Sequence, residues 1–229
     1  MTISVFHAYP PNQDAGNQIV AMVGDNVTDL SMLAVPPSNL QYEIYRRALS
    51  IEVAVYLQRV GEIPNEPVEV IVATSDADPH EVLGFLLYSP VPNHPEACGI
   101  NYMAVKATHR RQGLGSAMVR RMLERYPHAE LTCFVKKVPF YESLGFQVLD
   151  SQNTQVVMNT RNASSEGLMA VLNVEPIYTL PEVEQIKNEL LQRWGRKEMQ
   201  NSIRQLERHI GQISRQAQSF VAQRQSSFV

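Results

Sequence analysis

The sequence predicts an α+β fold: a sheet of mostly antiparallel strands flanked by helices, followed by an α-helical C-terminal extension. Three observations lead there. Short β-rich runs recur in hairpin-like pairs, 68–74 with 82–88 and 146–149 with 155–160, separated by turn-forming residues. Between them, residues 100–124 (INYMAVKATHRRQGLGSAMVRRMLE) read as strand, glycine-bearing turn and helix. Near the C-terminus, Met199, Ile203, Leu206, Ile210, Ile213, Ala217 and Phe220 alternate spacings of four and three, which is a heptad seam.

Bulk properties narrow the classes. A chain of 229 residues holds one domain plus an extension, and 44% hydrophobic content suffices for a real core. The formal net charge of −3 argues against nucleic acid as the main partner, since phosphate-backbone binding calls for a basic surface. Cys98 and Cys133 lack metal-ligand spacing and fall in or beside strands, so buried free thiols in a reducing compartment are expected. The opening MTISVFHAYPP has no basic stretch and no long apolar run. No segment approaches the roughly 18 apolar residues of a membrane span. The expectation is a soluble, cytoplasmic protein that engages no membrane.

The elements follow in order. Residues 3–9 form a first strand, stopped by Pro10 and Pro11. Residues 12–35 are weakly patterned, with a short helix at 18–23 and a turn at 24–29. Ser38-x-x-Gln41 offers a capping box, and the helix after it runs to about Val60. Leu40, Ile44, Ala48, Ile51 and Val55 form its apolar line, widened by Tyr42, Tyr45, Leu49 and Tyr56, a face broad enough to bury against a sheet. Gly61 and Pro64 end it. The runs 68–74 and 82–88 then pair as an antiparallel hairpin across a turn-rich 75–80. In the helix after Gly113, Leu114, Met118 and Met122 share one line with Val119 and Leu123 beside it. Arg120, Arg121, Glu124 and Arg125 make a solvated face, and Pro127 closes the helix.

The remainder divides by composition into a core unit, 1–161, a linker, 162–181, and a helical tail, 182–229. The apolar run 168–174 is compatible with strand or helix. Gly211 inside the tail costs about 1 kcal/mol against alanine. A lone helix of this length is marginal in water and needs a partner surface. Folding back on its own domain and a coiled-coil contact in a homo-oligomer or larger assembly both satisfy that need.

The strand–turn–helix of 100–124 has the makings of an anion site. The first amides of a helix have no internal partner, and the macrodipole adds about half a positive charge there. Gly113 and Gly115 remove side chains from the approach, and Arg110 and Arg111 add positive charge at the rim. A dinucleotide fingerprint is excluded, because Met118 stands where its third glycine belongs. No P-loop run is present. What is left is Arg110-x-x-Gly113-x-Gly115 after a strand ending at Val105. A second signal follows in order: Pro139-Phe140-Tyr141-Glu142-Ser143-Leu144-Gly145-Phe146, after a strand-like 129–135.

These two motifs together resemble the GNAT superfamily of acyl-CoA-dependent N-acetyltransferases. The element order over residues 1 to about 161 is similar to that family's. The resemblance implies a mixed, mostly antiparallel sheet in a three-layer α/β arrangement, with acetyl-CoA as co-substrate and an amine as acceptor. It assigns the CoA pyrophosphate to the backbone of Arg111, Gln112, Gly113, Leu114, Gly115 and Ser116, with Arg110 as charge support. It assigns the pantetheine arm to the backbone of Met103, Ala104 and Val105, where an amide also polarises the thioester carbonyl. Tyr141 matches the position of the acid that protonates the leaving thiolate; the alternative is a core tyrosine. The weakly patterned 12–35 falls where family members shape the acceptor pocket.

Two features depart from the family pattern: the loop Lys136-Lys137-Val138 lacks the asparagine often found before the Phe140-Tyr141-Glu142 segment, and the usual base is missing. Many members carry a glutamate on the strand leading to the pantetheine site, and Gly99-Ile100-Asn101-Tyr102-Met103 holds no acid. The nearest candidates for a base are Glu96, His94 and Glu52, or a water relay from Asn101 and Tyr102. Lys136 and Lys137 read as solvated. Three functions stay open. The first is direct acetyl transfer to an amine. The second is a structural or interaction protein, such as a phage virion component, that keeps the core and assembles through its tail. The third is an acyl-CoA-binding sensor without catalysis.

Overall fold

The computed structural model describes residues 1–226. A single seven-stranded sheet runs in the order β1-β2-β3-β4-β5-β7-β6. Its strands are β1 (Thr2–Phe6), β2 (Glu69–Thr74), β3 (Val82–Pro90), β4 (Ala97–Val105), β5 (His128–Cys133), β6 (Gln147–Gln152) and β7 (Gln155–Asn159). Every pairing is antiparallel except β4 with β5. The sheet is mixed and mostly antiparallel, as expected, and the fold is α+β. Strand β3, VLGFLLYSP, is buried along its whole length, as its near-continuous apolar run requires of a strand covered on both faces.

Helices cover both faces. On one side lie α1 (Gln13–Asp25), the single turn α2 (Val27–Leu30) and α3 (Tyr42–Gln58). They pack Ile19, Val23, Val53 and Tyr56 onto Val70, Val72, Phe85 and Leu87. On the other lie α4 (Leu114–Leu123) and α5 (Val138–Glu142), with Met118, Val119, Met122 and Tyr141 against Ile71, Leu86, Tyr88 and Met158. Cys98 and Cys133 are buried free thiols, as their strand positions imply.

Local differences have local causes. The weak pattern of 18–23 belongs to a longer helix, α1, because the Asn12 side chain caps it by accepting from the Ala15 amide at 2.9 Å. The capping box at Ser38 does not form. Asn39 Oδ1 accepts the Gln41 amide instead, and the Gln41 side chain donates to Ser202 Oγ at 2.8 Å. Residues 168–174 are neither strand nor helix. They lead into a 3₁₀ turn at Glu175–Thr179 and then into α6 (Pro181–Ser226).

Helix α6 breaks at Gly195, where φ is 75° and ψ 162°. Beyond the break it folds back on its own domain. Leu206, Ala217 and Val221 are buried, and Ala217 and Val221 join the α4-side core. Polar contacts fix the path: Asn39 Nδ2 to the Ser202 carbonyl at 2.9 Å, His209 to the Ala34 carbonyl at 3.2 Å, and Arg224 to Glu142. Of the seam, Ile203 remains exposed. Residues 227–229 of the expected tail lie outside the described residues. Among the described residues no helix is long and apolar enough to cross a membrane.

Candidate active site

The site is built where β4 and β5 part. Their ladder holds only Ala97 with His128, Cys98 with Ala129 and Gly99 with Glu130. Beyond Gly99, β4 stays on β3 while β5 stays on β7 to Cys133. The edge of β4 from Ile100 to Val105 therefore faces an opening. A bulge shapes this edge: Leu87 pairs with Tyr102 and Tyr88 with Ile100, so Asn101 has no partner on β3. Asn101, Tyr102 and Met103 are only half-buried. Met103, Ala104 and Val105 thus lie along the open edge, where a pantetheine arm could add to the sheet.

At the C-terminal end of this edge sits the N-terminus of α4. Its cap is Gly113 in the left-handed region, φ 83°, with no side-chain cap. Its first internal bond is Ala117 N–H to the Gly113 carbonyl at 2.9 Å. The amides of Gly113, Leu114, Gly115 and Ser116 therefore donate to nothing among the described residues. At Gly115 a side chain would point at Phe140 and Met103, with Phe140 Cζ 3.4 Å from the position of its Cβ. Gln112 is tied back to the Thr108 carbonyl at 3.2 Å, and Arg111 is exposed at φ 61°. Arg110 is exposed and donates through Nε to the Val105 carbonyl at 3.1 Å and through its guanidinium to Asn26. It stands at the junction of the open edge and the glycine turn.

Tyr141 comes from α5, held between Phe140 and Phe146 with ring centroids at 4.9 and 5.6 Å. Its hydroxyl makes no hydrogen bond among the described residues, and no fully enclosed side-chain polar atom there lacks one. The hydroxyl therefore touches solvent although the ring is buried. Burial, then the neighbouring Cys133 thiol, push the phenol above its ordinary value, so it stays protonated at neutral pH.

The weakly patterned segment bridges both lips of the opening. Asn26 holds Arg110 on the β4 side. Asp29 holds Lys136 at 2.6 Å and Lys137 at 3.6 Å on the β5 side, and Met32 accepts from Thr154. Burial opposes ionisation of Asp29, but the Lys136 hydrogen bond and the charges of Lys137 and Arg110 outweigh it and hold the carboxyl below its ordinary value. Lys136 and Lys137 are thus ion-paired rather than merely solvated.

Of the base candidates, Glu96 pairs at the surface with Arg161 at 3.0 Å. His94 lies in the β3–β4 loop, where Gly167 packs against its ring. Both lie at the end of β4 away from the glycine turn. Glu52 of α3 is different: it accepts from the hydroxyl of Tyr102, a residue of the open edge next to Met103, at 2.6 Å. Burial raises its carboxyl above the ordinary value, and the Tyr102 hydrogen bond opposes this. Around it stand Tyr56, whose hydroxyl accepts the Leu172 amide at 2.9 Å, and Tyr178, stacked edge-on with Tyr45 at 5.9 Å. Asn101 accepts from Ser89 at 3.1 Å. Sequence reasoning took Tyr45 and Tyr56 as apolar stripe and did not single out Tyr178. The available signal was their spacing: 45, 52 and 56 lie on one line of α3. Among the described residues no group of three or more His, Cys, Asp or Glu gathers as a metal site.

Residues 66–148 match the profile of the acetyltransferase (GNAT) domain. That span contains the open edge of β4, the glycine turn and Tyr141. No curated protein sequence matches the chain. Among solved structures, a PaiA N-acetyltransferase from Thermoplasma acidophilum in complex with coenzyme A is 11% identical at a TM-score of 0.55, over 70% of this chain and 99% of that one. An aminoglycoside 6′-N-acetyltransferase complexed with coenzyme A is 13% identical at 0.51, over 76% and 100%. A histone acetyltransferase HPA2-related protein from Corynebacterium glutamicum is 19% identical at 0.51, over 72% and 99%. At these identities the likeness is one of fold.

Proposed function

We propose, from the match of residues 66–148 to the acetyltransferase (GNAT) domain, that this chain transfers an acetyl group from acetyl-CoA directly to an amine. One observation carries the reading: β4 and β5 part beside a helix N-terminus whose first amides are undonated. The pyrophosphate sits on the amides of Arg111 to Ser116, with Arg110 at the rim. The pantetheine arm lies along Met103, Ala104 and Val105 as an added strand, and a β4 amide polarises the thioester carbonyl. Two coenzyme A-bound structures of this fold support acetyl-CoA as co-substrate.

In the reaction the amine nitrogen attacks the thioester carbon, the C–S bond breaks, and the thiolate leaves. Tyr141 enters protonated, as a phenol does at neutral pH, and burial raises its value further. It gives its proton to the sulfur and recovers one from the acylated nitrogen. Titration calorimetry with acetyl-CoA, followed by CoA release over a panel of amines, tests the activity. Tyr141→Phe is expected to keep CoA affinity and lose turnover by roughly 10²-fold. Unchanged turnover removes Tyr141 from the acid role.

The tail reading is narrower. The folded-back half of α6 uses Leu206, Ala217 and Val221 within the chain, so self-association would draw on exposed Leu191, Trp194 and Ile203. Light scattering of the full chain tests it, and a monomer at high concentration ends it.

A further inference from the structure

We propose that Glu52 is the seat of the acceptor's ammonium group and takes its proton, so that the acceptor arrives as a cation on an alkyl chain. The inference rests on the acetyl-transfer reading and supplies the base that the strand before Met103 lacks. Glu52 is half-buried, accepts one phenolic hydrogen bond, and has no Lys, Arg or His partner among the described residues. A carboxylate taken from water without a counter-charge is costly, and a bound cation relieves that cost. The surroundings suit one. Tyr56 and Tyr102 meet at 6.3 Å, and Tyr45 and Tyr178 at 5.9 Å. Tyr56 is buried, whereas Tyr45, Tyr102 and Tyr178 are half-buried, and phenol rings attract a cation.

The walls limit what enters. On one side the segment 26–34 is fixed to both lips of the opening. On the other, Met169 lies over Gly99, its sulfur where a Cβ would stand, and the Leu172 amide is bound by Tyr56. A slim terminal ammonium fits this frame better than an amine borne on a bulky ring. The step balances: R–NH₃⁺ gives one proton to the Glu52 carboxylate, and the neutral amine forms the C–N bond as the C–S bond breaks. Its second proton leaves by way of Tyr141 to the thiolate. Facing Glu52 are the hydroxyls of Tyr56 from α3, Tyr102 from β4 and Tyr178 from the 3₁₀ turn, while Arg59, just past α3, bears on Tyr56 and pairs with Glu66 at 3.1 Å. Burial already lifts the Glu52 carboxyl above its ordinary value, which makes it a stronger proton acceptor than a free carboxylate.

The test uses the full chain, with and without acetyl-CoA, and two probes of one shape: n-butylammonium chloride and n-butanol, followed by ligand-observed NMR. Wild type should prefer the cation by about tenfold. Glu52→Gln should lose the preference while keeping acetyl-CoA affinity, and Tyr102→Phe should keep it. With n-butylamine as acceptor, Glu52→Gln should slow CoA release about tenfold or more near neutral pH and recover as pH rises and supplies free amine. A cation preference that survives in Glu52→Gln, or is absent in wild type, overturns the proposal. Acetyl-CoA that fails to bind wild type overturns the transferase reading and the proton step, while a cation preference in the same sample still supports the ammonium seat.

Discussion

Two carboxylates sit on opposite faces of the sheet, each accepting from tyrosine, and they differ in one respect. Glu69 of β2 is 4% exposed and accepts from Tyr88 at 2.8 Å, Tyr126 at 2.7 Å and Arg125 at 3.2 Å. Among the described residues Glu52 of α3 accepts from Tyr102 alone and has no cation. The first is a closed unit with its charge balanced inside the chain, and it serves the fold. The second is a half-buried charge left for something else to balance. A carboxylate–phenol pair is therefore not diagnostic of function by itself; the missing counter-charge is.

Mutation should separate the two. The largest stability effect belongs to Glu69→Ala, which strands two buried phenols and a guanidinium: about 3–5 kcal/mol is expected, read as a lowered urea midpoint. Glu52→Gln should cost under about 1 kcal/mol or stabilise, since it removes a half-buried charge with no cation beside it among the described residues. If it destabilises as strongly as Glu69→Ala, the two sites are alike and the contrast fails. Tyr126→Phe and Tyr102→Phe come next. Each removes one hydrogen bond to a charged group, about 1.5–3 kcal/mol, with the Tyr102 change nearer the low end because Glu52 can then turn to water.

The pH dependence is subtler. Because burial lifts Glu52 above its ordinary value of 4.5, the folded state holds that proton more tightly than the unfolded chain. The group's stabilising contribution is complete below its unfolded value and is lost as pH rises through its folded value. Glu52→Gln should lack this decline, and paired urea titrations across that window measure it. The smallest effect is Asp29→Asn. Its pairs with Lys136 and Lys137 are partly exposed, so about 0–1 kcal/mol and a salt-sensitive change are expected.

What the sequence displayed and what it hid divide along sequence distance. The glycine turn, the strand before it and the helix after it are contiguous, so Arg110 to Ser116 could be read with their geometry. The Tyr141 segment could be read because its element order is local as well. The Asn101 bulge could not, since it exists only relative to β3. Glu52 meeting Tyr102 spans 50 positions, and Tyr56 meeting Leu172 spans 116; no local period encodes either. The heptad seam was visible, but its partner was not. A seam states that a surface is needed; here the α4-side core supplies it at Ala217 and Phe220, and Asn39, Gln41 and Ala34 fix the helix through Ser202 and His209 from 161 or more residues away.

The tail also settles a matter of colloidal behaviour. Strand β6 is an outer strand of the sheet, and outer strands offer unpaired backbone groups to other chains. Helix α6 lies along it, and Gln225 donates to the Leu149 carbonyl at 3.3 Å while Val221 and Phe220 pack beneath. Cutting the chain before the helix would bare that flank and its apolar backing together. A shortened protein should precipitate or form fibrous aggregates before it shows any change in chemistry, so the helix acts as a built-in chaperone for the sheet it follows.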